Sequence, residues 1–373
     1  MTTNRATIMR NKPYIPAGTR IGLLLCAALA ASCGDADSPL PDGTSATPTE
    51  IRFAPAIKEA SGQPSARAIL TGTFFPNYIN SIGNAEVNGR YGLFICRNGS
   101  ATFESSMVRS NNMQATASNS TDLSTTWDYS YEGLQATFKK IYIHDKYPAD
   151  FYAYSPWIAG IQRPDQIPYN FGNQYDLMYA EENDGNNANK NVTADGILKT
   201  VTFNFRHALA ALCFKLKLKH SQSNVILTKI DLRKTAVAGS NTHLYSAGTF
   251  NAIDGTINST TDANALTNDF PDITFSTNTN NFIDSYTLVA PTEDIDDKGI
   301  EVQFYINNVT EARTMTLTIE RNHTEYNDGS TTHYGFRAGK IYTFEITVDN
   351  FLKLDKVTVS DSWIVEEQKD ILI

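Results

Sequence analysis

The sequence predicts an all-β fold arranged as a sandwich. Along most of the chain apolar residues recur at every second position, as at Tyr91, Leu93 and Ile95, which is the period of a half-buried strand. Polar stretches rich in Asn, Ser, Gly and Thr separate these short segments, and no amphipathic helix of three or more turns is evident. Frequent turns without a strand–helix–strand rhythm favour a β-sandwich over an α/β fold.

The length and the charge of the chain limit what it can be. It has 373 residues and a formal net charge of −9, because 40 acidic residues outnumber 31 basic ones. An acidic surface repels phosphate backbones, so nucleic acid is not an expected partner. At roughly 150 residues per domain, the length beyond an N-terminal leader corresponds to about two domains, each large enough for its own core.

The N-terminus has the pattern of a secretory signal. Basic residues precede an apolar run at residues 21–31, which is too short to cross a bilayer because that takes about 20 apolar residues. Small residues then precede Cys33, a pattern that resembles the lipobox of bacterial lipoproteins, whose cysteine is acylated and becomes the mature N-terminus. Residues 1–33 are therefore predicted to be a lipoprotein signal peptide with Cys33 as the lipidation site. The alternative is a signal peptide cut at small residues without lipid.

A spacer and a first strand follow the leader. Residues 34–49 are rich in Asp, Pro, Ser, Thr and Gly and have no apolar period, which predicts a disordered tether. Beyond it Ile51, Phe53 and Ile57 mark a half-buried strand with one apolar face. Fully extended, the tether would hold that strand roughly 50 Å from the membrane.

A basic loop follows the first strand. A run of Ser, Gly and Pro leads to Arg67 and Ala68, where small residues flank an arginine that a trypsin-like protease could reach. Cleavage there would detach residues 50–67, and with them one strand, from the fold. Arg52 is a second candidate cut point, within the strand itself. The alternative is an ordinary first strand followed by an ordinary loop.

The second half repeats the strand pattern with clearer alternation. Residues 181–196 are dense in Asn, Asp and Gly and form the best boundary between an N-terminal domain (50–190) and a C-terminal domain (191–373); a long surface loop within one domain is the alternative. A brief helical turn is predicted at residues 207–210. The Asp254-Gly255 pair predicts a two-residue hairpin turn.

The C-terminal tail has apolar residues on odd positions up to the last residue, with Asp361, Glu367 and Lys369 interrupting them. A terminal strand of this kind needs a groove, because an exposed apolar edge invites pairing with another chain. Residues 356–373 are therefore a candidate donor strand, although the part up to residue 359 could instead close the second sheet of its own domain. The apolar positions are Val357, Val359, Trp363, Val365, Ile371 and Ile373.

Neither a catalytic nor a metal-binding pattern is found. The six histidines show no ligand spacing, and no nucleophile motif or phosphate-binding loop occurs. Cys96 and Cys213 each fall within a strand pattern and are expected to be small buried side chains. We expect no catalysis, no cofactor and no metal.

Taken together, several motifs resemble the fimbrillin family of Bacteroidales, the FimA- and Mfa-like subunits of type V pili, over essentially the whole chain. These motifs are the lipobox ending at Cys33, IRF at 51–53, YGLFI at 91–95, DFYAYSP at 150–156, DLMYA at 176–180, HALA at 207–210, GKIYTF at 339–344 and SW at 362–363.

The resemblance implies a fold and a route of assembly. It implies two transthyretin-like β-sandwich domains in tandem and export as an outer-membrane lipoprotein that becomes part of a surface fimbrium. It also implies that an Arg-specific protease cuts between Arg67 and Ala68 and that a C-terminal strand of another copy fills the vacated groove. The expected partners are further copies of the chain and the anchor and tip subunits of the pilus. The alternative function is that of a monomeric surface lipoprotein that binds glycan or host protein.

Overall fold

The computed structural model describes residues 47–58, 64–65, 90–97, 108–117, 127–131, 137–143, 147–181, 189–235, 240, 242–292, 295–308, 312–327 and 330–360. All of them belong to one compact unit, Ala46–Ile373. Cys33, the Arg67–Ala68 bond and residues 361–373 lie outside the described residues. Within these ranges the regular structure is β-strand and two short 3-10 helices, with no α-helix.

The strands are numbered in chain order. The first ten are β1 (Thr49–Lys58), β2 (Pro64–Ser65), β3 (Arg90–Arg97), β4 (Val108–Ala117), β5 (Trp127–Ser130), β6 (Ile141–Ile143), β7 (Ala149–Ser155), β8 (Ile167–Asn170), β9 (Met178–Glu181) and β10 (Lys199–His207). The next six are β11 (Ala210–Leu218), β12 (Ile226–Lys234), β13 (Tyr245–Phe250), β14 (Ile257–Asp262), β15 (Ala265–Thr274) and β16 (Ile283–Val289). The last six are β17 (Ile300–Asn307), β18 (Ala312–Ile319), β19 (Glu325–Asn327), β20 (Thr332–Tyr334), β21 (Ile341–Val348) and β22 (Leu352–Ser360). The 3-10 helices are Phe171–Asn173 and Arg321–Thr324.

The first sheet has nine strands and folds back on itself. Its order is β2-β1-β10-β9-β7-β3-β4-β5, and β6 pairs with β1. Phe53 on β1 packs edge-on against Tyr129 on β5, with ring centroids 5.8 Å apart, although these strands lie near opposite ends of the sheet order. Tyr91 on β3 likewise meets Phe203 on β10 at 5.9 Å. The sheet therefore forms both layers of a sandwich, closed around an aromatic core.

The second half contains a sandwich of two four-stranded sheets. One has the order β16-β11-β21-β22 and the other β15-β12-β17-β18. Phe214 on β11 stacks on Phe344 within its own sheet at 5.4 Å and meets Phe304 of the opposite sheet edge-on at 5.3 Å. All three rings are fully buried. This interdigitation of two inner faces confirms the predicted β-sandwich architecture.

The two halves of the chain share secondary structure. β13 pairs with β8, placing Phe250 opposite Ile167 in a three-stranded sheet that β14 completes. β10 follows the boundary expected between residues 190 and 191, and it pairs with β1 and β9 in the first sheet. A division into two tandem domains at that boundary stays a prediction.

The helical turn expected at residues 207–210 is wrong. His207 ends β10 and Ala210 starts β11, with a bend between them. The N–H of Ala208 donates to the carbonyl of Leu177 at 2.8 Å, and the carbonyl of Leu209 accepts from Gly339 at 2.8 Å. These backbone groups bond to neighbouring segments instead of closing a helical turn, so tertiary contacts override the local preference.

The hairpin expected at Asp254-Gly255 exists, but its loop is longer than two residues. β13 ends at Phe250, which pairs with Ile257 at the start of β14. The N–H of Asn251 donates to the carbonyl of Thr256 at 2.8 Å, which closes the loop between the strands. Gly255 has φ +80, the left-handed backbone conformation that glycine adopts without steric cost and that the Asp-Gly pair predicts.

Both strand cysteines lie in the core. Cys96 on β3 and Cys213 on β11 are 3% and 2% exposed. Burial raises the pKa of the Cys213 thiol to about 12, so this thiol is protonated at neutral pH. The expectation of small buried side chains is confirmed.

Candidate assembly site at the first strand

β1 is inserted between neighbouring strands. It runs parallel to β10 over residues 51–57, with Ile51 opposite Lys199 and Ile57 opposite Phe205. On its other side its start pairs with β6, where Thr49 faces Ile143, and its end pairs with β2. Among the described strands, β1 therefore has partners on both sides at Ile51 and Ile57, whereas residues 52–56 pair with β10 alone. Its departure would leave unpaired N–H and C=O groups along β10 and β6.

The inward face of β1 is part of the first core. Ile51 and Phe53 are 2% and 7% exposed, whereas Arg52 and Ala54 are exposed, which confirms the predicted alternation. The Phe53 ring stacks on Phe203 at 5.2 Å and meets a second aromatic ring, that of Phe151 on β7, at 5.4 Å. Ile57 is the third predicted apolar position, and for this residue the structure describes the backbone only.

Thr49 lies at the candidate site, and the sequence pattern places it in the tether. It is instead the first residue of β1 and fully buried. Its hydroxyl oxygen accepts hydrogen bonds from the backbone N–H groups of Asp195 at 2.7 Å and Gly196 at 2.8 Å. The odd-numbered alternation of Ile51 and Phe53, extended back by one step, would have indicated its inward position.

The outward face of β1 carries an ion-pair group. The ammonium of Lys140, next to β6, lies 2.8 Å from the Glu50 carboxylate, and Arg52 lies 3.4 Å from it. The hydrogen bond from Lys140 holds the pKa of Glu50 below its usual value. These charges join β1 to β6 across the strand pair, in addition to the backbone ladder. The Arg52 side chain, on the second candidate cut point, is 63% exposed.

The start of the predicted donor segment lies in a sheet of its own chain. Val357 pairs with Phe344 and Val359 with Tyr342, in the antiparallel ladder between β22 and β21. Both valines are half-buried against the core. These residues therefore close the second sandwich of their own chain, which is the alternative that the sequence left open. The other four positions, Trp363, Val365, Ile371 and Ile373, lie outside the described residues.

Other kinds of site were sought in the part of the chain that the structure covers. No group of three or more His, Cys, Asp or Glu side chains there could hold a metal ion. No helix in the same ranges is long and apolar enough to cross a membrane. The site with the clearest structural basis is therefore the inserted strand β1.

A family model described as fimbrillin-like matches residues 83–364, which is well over half of the chain. The chain belongs to the fimbrillin-like family. No curated protein matches it in sequence. Family membership supports a role as a fimbrial subunit at the cell surface. The family named from the sequence motifs is thereby confirmed.

One of three similar solved structures supports this fold. A candidate cell adhesion protein from Bacteroides ovatus is similar with a TM-score of 0.52 and 16% identity, over 87% of this chain and 100% of that one. The tip fimbrial protein Mfa3 from Porphyromonas gingivalis, solved with a C-terminal truncation, has a TM-score of 0.38 and 7% identity; the match covers 84% of this chain and 100% of the Mfa3 chain. The fimbrial anchor protein Mfa2 of the same organism has a TM-score of 0.34 and 10% identity; the match covers 84% of this chain and 98% of the Mfa2 chain.

Proposed function

We propose that this chain is a structural subunit of a type V pilus, exported as a lipoprotein and polymerised by protease-triggered strand exchange to serve adhesion. The observation that carries the proposal is the position of β1, which contributes two buried apolar side chains and pairs with β10 along residues 51–57. Because β1 ends before the candidate cut at Arg67–Ala68, one cleavage in that loop would release the whole strand from the rest of the chain.

The vacated slot would have both requirements for binding a strand. β10 and β6 offer backbone hydrogen-bonding groups, and Phe203 and Phe151 form the floor that Phe53 covers in the unprocessed chain. An extended segment that adds itself to such an edge regains the backbone hydrogen bonds and fills the side-chain positions of alternate residues. The vacancy therefore favours a strand with apolar residues at every second position.

The tail has this pattern at Trp363 and Val365 and again at Ile371 and Ile373, with Glu367 and Lys369 between the two pairs. Since β22 holds residues up to Ser360 in its own sheet, the proposed free donor is residues 361–373. Burying its four apolar side chains at about 1.5–3 kcal/mol each gives on the order of 10 kcal/mol before ordering costs. A contact in which the tail of one copy enters the slot of the next is head-to-tail, so it generates a filament instead of a closed ring.

Lipidation and cleavage have separate roles in this scheme. Acylated Cys33 would anchor the precursor in the outer membrane, upstream of β1. A cut at Arg67 by an Arg-specific protease would separate the body of the subunit from both the anchor and β1. Release from the membrane and exposure of the slot would therefore be one event. The mature subunit, beginning at Ala68, would join the surface fimbrium together with anchor and tip subunits.

The test is processing in vitro followed by native mass spectrometry and electron microscopy. The wild-type precursor treated with an Arg-specific protease should begin at Ala68 and form ladders and fibres. The Arg67→Lys variant keeps the charge but resists this protease, so it should remain monomeric. The Arg52→Lys variant is the matched control and should assemble as the wild type does.

Deletion of residues 361–373 tests the donor half of the proposal. The truncated precursor should be cleaved at Arg67 and remain monomeric, because the slot is exposed but no strand is available to fill it. Unchanged laddering of the truncated chain would contradict strand exchange through the tail. A wild-type chain that is cleaved, stays monomeric and binds glycan or host protein would instead support the alternative function.

A further inference from the structure

Exposed apolar side chains are concentrated at one end of the first sandwich. Six large apolar residues are exposed among those the structure describes, and four of them lie at the end where β1 begins. We call these four the tether-end patch: Tyr142 (49% exposed), Tyr147 (44%), Ile197 (67%) and Leu198 (45%). Single exposed apolar residues are ordinary, but a concentration of them marks an interaction surface.

The aliphatic half of the patch lies against the first residues that the structure describes. A Cβ atom placed on Gly196 would come within 2.7 Å of the Thr47 methyl group, so the chain just before Ile197 touches Thr47. The Ile197 N–H donates to the Asp195 carboxylate at 3.0 Å, and that carboxylate pairs with Lys199 at 2.8 Å. These contacts fix the backbone that holds Ile197 and Leu198 outward.

The aromatic half of the patch belongs to the same end. Tyr142 lies on β6 directly opposite Glu50, one residue into β1. Tyr147 lies in the short connection between β6, whose Ile143 faces Thr49, and the first residue of β7. That first residue, Ala149, forms a bridge with Val192, shortly before the aliphatic pair. All four residues therefore lie on segments next to the start of β1, where the preceding chain joins the body.

The preceding chain identifies what this end faces. Thirteen residues, 34–46, separate Cys33 from Thr47, and they can span at most about 45 Å. On a subunit acylated at Cys33, the end that bears the patch is thus the end tied to the membrane. A tether this short keeps the patch at an effective concentration in the millimolar range relative to the membrane surface.

We propose that in the unprocessed subunit the tether-end patch lies on the lipid surface and is a second attachment beside the acyl anchor. This inference rests on the proposed lipidation of Cys33. Aliphatic side chains and tyrosines are the residues that settle at the boundary between headgroups and acyl chains. Lys140 and Lys199, which lie beside the patch in sequence, are paired with Glu50 and Asp195, so their charges are balanced by carboxylates. Loss of residues before Ala68 by cleavage would remove the tether and with it the local concentration that keeps the patch on lipid.

The test uses the uncleaved chain starting at Cys33, with one synthetic acyl chain coupled to Cys33; Cys96 and Cys213 are buried and protected from coupling. Binding to phosphatidylcholine vesicles is measured by flotation. One acyl chain binds only marginally, so a second contact is visible. The Ile197→Asp/Leu198→Asp variant should partition about ten-fold or more below the unsubstituted conjugate. The control Phe351→Asp changes another exposed apolar residue, 63% exposed and outside the patch, and should bind unchanged.

Equal flotation of all three conjugates would overturn the inference. Concentration-dependent self-association in the absence of vesicles, lost in the double variant, would also overturn it, because the patch would then cover a second copy. Near-ultraviolet circular dichroism confirms that each variant is folded. Failure of the proposed function has a separate readout. If the N-terminal peptide of the protein purified from cells carries no acyl group on Cys33, the chain is not a lipoprotein. The synthetic conjugate still measures whether the patch binds lipid.

Discussion

Phe53 and Thr49 hold the first strand in place by different physical means. Phe53 contributes aromatic area to the core, where its ring meets Phe203 and Phe151. Thr49 contributes a buried hydroxyl that accepts hydrogen bonds from two backbone N–H groups at residues 195 and 196. Both contacts would be lost when β1 leaves, so each residue contributes to the stability of the precursor and not to that of the processed subunit.

Replacement of Phe53 by Ala should destabilise the precursor by about 3–5 kcal/mol, because the ring leaves a cavity among aromatic neighbours. Urea denaturation followed by fluorescence measures the change. Ala54→Ser is the control on the exposed face of the same strand and should change stability by less than about 0.5 kcal/mol. A loss below about 1 kcal/mol for Phe53→Ala would mean that β1 is not packed as described.

Replacement of Thr49 by Val should cost about 0.5–1.5 kcal/mol, because the isosteric side chain removes the buried acceptor of two backbone N–H groups. Thr49→Ser retains the hydroxyl and should lose distinctly less. Thermal unfolding of the two variants side by side gives the difference. Equal losses would assign the effect to the methyl group and remove the hydroxyl from the account.

At the scale of single elements, the sequence predicts which face of a strand is buried better than it predicts which strand lies beside it. The alternation of Ile51 and Phe53 predicted which side of β1 is buried, because side chains alternate across any strand. The same period does not reveal that β10 is the partner or that the pairing is parallel, since both depend on contacts about 150 residues apart in sequence. The helical turn predicted at residues 207–210 is wrong for a related reason. The backbone groups of these residues form hydrogen bonds with segments distant in sequence, and a local sequence pattern does not reveal such partners.

The hairpin between β13 and β14 gives a test of turn chemistry with a matched control. Gly255 and Gly160 have φ +80 and +78, but a Cβ on Gly255 would lie 2.2 Å from the Tyr179 ring, whereas one on Gly160 would meet nothing within 4 Å. Gly160→Ala should therefore cost about 1–2 kcal/mol from the left-handed backbone alone. Gly255→Ala should cost clearly more in chemical denaturation. Equal costs would contradict the close approach of Tyr179.

The pairing of β1 with β6 should depend on pH through Glu50. The hydrogen bond from Lys140 lowers the pKa of Glu50 in the folded chain, so its stabilising effect is present above the unfolded pKa of about 4.5. It is lost as the pH falls through the lower, folded pKa. Glu50→Gln should remove this part of the acid dependence, measured as the difference in unfolding free energy between pH 7 and pH 3. An unchanged difference would exclude the Glu50–Lys140 contact as its source.

At the scale of the whole molecule, the proposed function requires that one copy of the chain complete the fold of another. Sequence motifs were sufficient for the all-β fold and the family, because both depend on features spread along the entire chain. The candidate assembly site was only half predictable: the buried face of β1 follows from alternation, but the contacts of Thr49 and Glu50 depend on segments distant in sequence. Because β22 closes the second sandwich, the proposed donor starts at residue 361 and not at residue 356.

The most direct measurement identifies what lies beside β10 in protease-grown polymers. A photo-crosslinking amino acid at Thr202, the residue opposite Ala54 of β1, reports the neighbouring strand. Polymers are grown from a mixture of isotopically heavy and light subunits, and the crosslinked peptides are analysed by mass spectrometry. Before cleavage the crosslink should join Thr202 to residues of β1, and after assembly it should join Thr202 to residues 361–373 of another copy, as mixed heavy–light pairs. Polymers in which Thr202 remains linked to β1, or is linked only to the tail of its own chain, would contradict strand exchange between subunits.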